Sequence, residues 1–85
     1  MKPDEILMEA ANLVTGSRLE THGSAEESYG MVAELWGAYR GEKYSTDDVL
    51  VMMALMKIGR VKHGSKNIDD FVDACGYLGL AGALS

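Results

Sequence analysis

The sequence predicts an all-α domain of four helices, arranged as a bundle or a close variant of one. Three observations carry this. Apolar residues recur at helical spacing, with no alternating strand pattern. Cap residues and glycines divide the 85 residues into four segments joined by polar links. Finally, Val49 to Met56 is eight apolar residues without a break. A surface helix carries an apolar stripe on one face, whereas this stretch is apolar nearly all round. The helix around it, Asp47 to His63, is therefore expected to be the central and most buried element.

The first helix is expected over about 4–14. Pro3 suits a first-turn position, Asp4 and Glu5 complement the dipole, and Gly16 marks the stop. Ile6, Leu7, Ala10, Leu13 and Val14 share one face, which describes a peripheral amphipathic helix. A polar link, Thr15 to Ser24, follows. It is long for so small a domain, and it carries Arg18 and His22.

Ser24 and Glu27 have capping-box spacing and open a second helix over about 25–40. Tyr29, Val32, Ala33 and Trp36 form its apolar face, with the only tryptophan as a core anchor. Gly30 and Gly37 fall seven apart in its interior, where each glycine costs about 1 kcal/mol. Close approach of another helix or a ligand is the expected reason. Ser45 or Thr46 caps the third helix, over about 46–63. Asn67 and Asp70, again at capping-box spacing, begin the fourth, over about 68–84. Ile68, Phe71, Val72, Cys75, Leu78 and Gly79 are its expected buried side, and Gly76, Gly79 and Gly82 recur every three residues. Short links between four helices fit an up-and-down bundle.

A core of this size supplies only about 3–5 kcal/mol. The single cysteine, Cys75, cannot form an internal disulfide, so self-association as a homo-oligomer is expected. A net charge of −5 argues against general nucleic-acid binding, which needs a basic surface. Four of the eight Lys and Arg residues nevertheless lie between Lys57 and Lys66, with Lys43 a possible neighbour after folding. Such a patch suits a small anion better than a polymer. No apolar run approaches a membrane span and nothing resembles an export signal, so the expected location is cytoplasmic.

Asp69, Asp73 and Tyr77 are spaced by four and stack on one side of the fourth helix. Two carboxylates one turn apart can bind Mg²⁺ completed by water and substrate phosphates. If the third and fourth helices pack antiparallel, Lys57 and Arg60 meet Asp69 and Asp73. The result is either an ion-pair network or a polar pocket for a phosphorylated ligand, and spacing does not separate the two. No nucleophile emerges. Cys75 falls on the apolar side without a histidine nearby in sequence, as expected of an inert buried thiol.

The residues Arg18, His22-Gly23, Leu35-Trp36, Asp48-Val49, Lys57-x-x-Arg60, Asp69-x-x-x-Asp73 and Gly76-Tyr77 resemble a small family of uncharacterised function found mostly in phages and prophages. The likeness runs from about Leu7 to Leu80, with His22 where tyrosine is usual. That family in turn looks distantly similar to the all-α nucleotide pyrophosphohydrolases of the MazG and dimeric dUTPase type. Those are oligomeric helical bundles that hydrolyse nucleoside triphosphates with Mg²⁺. The resemblance implies an oligomer and a nucleotide or similar phosphorylated ligand. Arg18, Lys57 and Arg60 would contact phosphate, His22 and Tyr77 would sit near base or sugar, and Asp69 with Asp73 would hold the metal. The Glu-x-x-Glu and Glu-x-x-Asp pairs of those enzymes are missing here, so the fold carries over better than the activity. A non-catalytic oligomer that sequesters a signalling nucleotide, or a purely structural or interaction module, are the alternatives.

Overall fold

The computed structural model describes residues 1–15 and 24–85. Arg18 and His22 lie outside the described residues. The remainder forms four helices: α1 (Pro3–Thr15), α2 (Ala25–Arg40), α3 (Thr46–Lys62) and α4 (Ile68–Leu84), and no strand occurs among the described residues.

Local chemistry sets the helix ends. The Glu27 N–H donates to the Ser24 hydroxyl at 3.1 Å and starts α2. At α3 the box is complete: Asp48 N–H donates to Ser45 Oγ, and Ser45 N–H donates to the Asp48 carboxylate. Asn67 caps α4 through the Asp69 N–H, at 3.0 Å. The expected Asn67–Asp70 pairing does not form, because the Asp70 carboxylate turns inward and accepts from the Ser65 hydroxyl at 2.7 Å.

α2 ends where Gly41 takes a left-handed conformation (φ 70°), and the N–H groups of Gly41 and Glu42 both reach Gly37 O. A Cβ on Gly37 would lie 2.6 Å from Glu42 O. This glycine is thus required by the chain's own reversal, and not by another helix or a ligand. Gly30 faces Thr46 at ordinary contact distance, and Gly76 lies against Val14 and Leu13 of α1. Gly79 and Gly82, expected to allow close helix contacts, face open space among the described residues.

α3 and α4 form the most extensive contact. α2 packs on α3 and α1 on α4, so the spatial order is α2–α3–α4–α1. An up-and-down bundle would also bring α1 against α2. Here the two make no extensive contact among the described residues. α3 and α4 run antiparallel: Lys57 meets Asp73 at one end, and at the other the Ser85 hydroxyl, which donates to Ala81 O at 2.7 Å, lies 3.5 Å from the Asp47 carboxylate. Hydroxyl donors, Ser45 first, hold the Asp47 carboxyl below its ordinary range. That contribution is present at neutral pH and is lost as pH falls through the lowered value.

The core comprises Tyr29, Ala33, Val49, Leu50 and Ala81, with Trp36, Met53, Tyr77, Leu80 and Leu84 packed around it. Trp36 therefore anchors the core from its edge, half-buried. Val49 and Leu50 are fully buried, each worth about 1.5–3 kcal/mol. Ala10 and Val72 are buried on the α1 and α4 side of the layer. The expectation that α3 is buried all round is corrected. Val49, Leu50 and Ala54 face inward, but Leu55 is 57 % and Ile58 51 % exposed, with Val51, Met52 and Met56 exposed as well. α2 and α4 meet on one side of α3, through Tyr29, Ala33 and Ala81, and leave its other side open. On α4 likewise, Ile68, Phe71 and Leu78 are exposed and Gly79 lies open, so the expected buried side is only partly covered. No helix among the described residues is long and apolar enough to cross a membrane.

The two glycines Gly37 and Gly79 are expected to respond oppositely to alanine. Gly37→Ala drives a methyl into backbone and should cost about 1–3 kcal/mol. Gly79→Ala should be neutral or stabilise by up to about 1 kcal/mol. Urea unfolding of both variants measures this.

Candidate functional site

The antiparallel α3–α4 pair places the basic end of one helix against the acidic start of the other. Lys57 follows the apolar run, so its stem lies along the packed surface while its ammonium reaches α4. Lys57 Nζ lies 2.9 Å from Asp73 Oδ2 and 3.8 Å from Asp70 Oδ1. Arg60 approaches the same Asp70 oxygen at 3.6 Å, and Ser65 donates to the other. The Lys57 side chain is 12 % and that of Asp70 6 % exposed, whereas Arg60 is 58 % exposed. Lys57 is thereby committed between two carboxylates, and of this cluster's two cations Arg60 is the one that faces solvent.

Of the predicted cluster, the structure joins Lys57, Arg60 and Asp73 and leaves Asp69 out. Asp69 is exposed, one residue before the buried Asp70. Asp70 was missed because an acidic first turn is explained by the helix dipole alone. The available signal was its spacing: Asp70, Asp73 and Tyr77 also follow at three and four. Lys43 is not a neighbour of this cluster, since it precedes the opposite end of α3.

Beside Asp73 a cavity of about 160 Å³ opens between α1 and α4, lined by Leu13, Val14, Asp73, Gly76, Tyr77 and Leu80. Gly76 lets α1 approach, and the Tyr77 ring is met edge-on by Tyr29, with centroids 5.8 Å apart and hydroxyls at 3.5 Å. The cavity thus has a carboxylate and a phenol on otherwise apolar walls. Asp69 and Asp73 also border an open depression with Glu9 and Asn12. Among the described residues, however, no three His, Cys, Asp or Glu side chains converge as metal ligands, and Asp73 is already paired with Lys57. Asp69 and Asp73 are the two carboxylates that would hold a Mg²⁺ ion completed by water and substrate phosphate.

A second, apolar groove of about 440 Å³ lies between α1 and the α3–α4 pair, walled by Ile6, Leu7, Ile58, Phe71, Cys75 and Leu78 among others. Cys75 is half-buried there, short of the full burial expected of it.

Four helices, with a buried ion-pair cluster beside a small, mostly apolar cavity, define the class: a small all-α protein with an internal charged pin. The chain matches, over residues 5–85, the model of a domain of unknown function, DUF6378, and it belongs to that family. It is 41 % identical over 76 residues to the Gene 55 protein of Mycobacterium phage L5, covering 88 % of this chain and 49 % of that protein. The Gene 55 protein of Mycobacterium phage D29 is 38 % identical over 76 residues, covering 89 % of this chain and 50 % of that protein. The chain therefore spans about half the length of the phage relatives it matches. No solved structure matches it.

Neighbouring aspartates should behave very differently. Asp70→Ala removes a buried carboxylate that Lys57, Arg60 and Ser65 all approach, leaves Lys57 to Asp73 alone, and should cost about 1–3 kcal/mol. Asp69→Ala, at an exposed site, should cost less than about 1 kcal/mol. Denaturant titration of the pair checks the assignment.

Proposed function

We propose that this phage-type chain recognises a nucleotide or similar phosphorylated small molecule, with the cavity between α1 and α4 taking its ring. The observation that carries this reading is the pairing of Asp73 and Tyr77 on one ring-sized cavity. A dry cavity of about 150 Å³ accommodates a benzene ring, and this one measures about 160 Å³. Asp73, fixed by Lys57 at 2.9 Å, can accept from a ring N–H or a sugar hydroxyl. Tyr77 supplies a hydroxyl and an aromatic edge. Lys57 then acts as a positioning residue and not as a phosphate contact. The phosphate falls to Arg60, whose guanidinium is half in solvent, and to Arg18, with His22 kept near the base or sugar. We place this activity in the host cytoplasm, and infer that so small a core works as a homo-oligomer through the apolar faces left open on α2 and α3.

The reading is recognition without turnover, since the glutamate pairs of the helical pyrophosphohydrolases are missing from the sequence. One observation favours a hydrolytic second reading. Asp69 and Asp73 do border a common depression, with Glu9 across from them. A third donor from substrate phosphate could complete a metal site there.

A thermal-shift screen against nucleosides, nucleotides, cyclic nucleotides and phosphosugars tests both. Ligand at 100 times its Kd should stabilise the fold by about 2.7 kcal/mol. Asp73→Asn and Tyr77→Phe should each lower the affinity at least tenfold while leaving a folded helical spectrum. No shift with any compound overturns recognition. Mg²⁺-dependent pyrophosphate release, lost in Asp73→Asn, replaces the binding reading with the hydrolytic one.

A further inference from the structure

The outer face of α3 contradicts its own sequence. Eight consecutive apolar residues describe a helix buried all round, yet Val51, Met52, Leu55, Met56 and Ile58 stand in solvent. Contiguous exposed apolar surface on this scale marks an interaction site. The patch does not stop at α3. Met52 shares a depression with Trp36 and Tyr39 of α2, and Ile58 walls the groove that contains Phe71 and Leu78.

The charges at the ends of the face indicate what covers it. Asp48, Leu55 and Lys62 are seven residues apart, so they run in one line down the helix with about 20° of drift per step. Asp48 and Lys62 are both exposed. The line therefore reads acidic, apolar, basic, and it is complementary to itself only when reversed. Around Leu55 the other positions are also matched: Met52 and Ile58 lie three residues to either side, Val51 and Gly59 four. A Cβ at Gly59 would meet nothing within 4 Å, which leaves room for a facing Val51. A parallel second helix would instead set Asp48 against Asp48 and Lys62 against Lys62.

We propose that this face is the contact between two copies of the chain, with α3 packed antiparallel on α3 about a two-fold axis at Leu55. Such an interface is isologous: each copy offers the same patch, and Asp48 of one faces Lys62 of the other. α3 becomes buried on both sides, as its sequence requires. Standard interfaces take about 800 Å² from each partner, and the extension of the patch onto α2 and α4 provides surface beyond a single helix. This inference rests on the self-association reading above and specifies its surface.

Sedimentation equilibrium and cysteine cross-linking test it. The unaltered chain should be a dimer at micromolar concentration. Leu55→Glu, which sets two carboxylates at the axis, should weaken dimerisation at least 100-fold. Lys62→Glu should weaken it, and Asp48→Lys in the same chain should restore it. Leu55→Cys in a Cys75→Ser background should form an intermolecular disulfide on mild oxidation, whereas Glu34→Cys on α2 should not. A chain monomeric at all concentrations overturns self-association altogether and leaves the face to a different partner. A dimer indifferent to Leu55→Glu, with no Leu55→Cys cross-link, overturns this interface and leaves self-association standing.

Discussion

The ammonium of Lys57, held between Asp70 and Asp73, is the interaction on which the arrangement depends. It locks the register of α3 against α4, and the other two helices pack on that pair. A charge in so sheltered a place is costly unless paired. Two carboxylates, together with Ser65 and Arg60 on Asp70, supply the pairing. Hydrophobic contact alone would allow α3, with its unbroken apolar run, to rotate or slide against α4. A charged pin at one end, with Asp47 and Ser85 meeting at the other, specifies one register.

The pin also gives the cavity its chemistry. Asp73 is shared between the ion pair and the wall of the α1–α4 cavity. Its carboxylate is thus oriented before any ligand arrives, which lowers the ordering cost of binding. Tyr77, one turn further along α4, is fixed in the same way by Tyr29. Structure and the proposed recognition draw on the same residues, so an ion-pair network and a ligand pocket are compatible descriptions of one region.

Much of the fold was legible because helix ends are local. Ser24, Ser45, Asn67 and Gly41 fix boundaries through bonds within a few residues, and all four helices begin and end within one or two residues of their expected limits. The order of packing was not legible. Nothing in the α1 pattern says that it lies on α4 and leaves α2, since an amphipathic stripe does not name its partner. The site shows the same division. Spacing brought out Lys57, Arg60 and Asp73, but the choice between Asp69 and Asp70 depends on how α4 is rotated against α3, and only the packing settles that. The apolar excess of α3 reads as a demand for burial. A single chain meets that demand on one side only.

A double-mutant cycle on Lys57 and Asp70, using Lys57→Met and Asp70→Leu, measures the pin most directly. The account expects each single change to destabilise strongly and the pair to recover much of the loss, with a coupling energy of about 1.5–3 kcal/mol. Additive effects, with coupling below about 0.5 kcal/mol, would contradict it and leave the α3–α4 register to apolar packing and the Lys57–Asp73 pair.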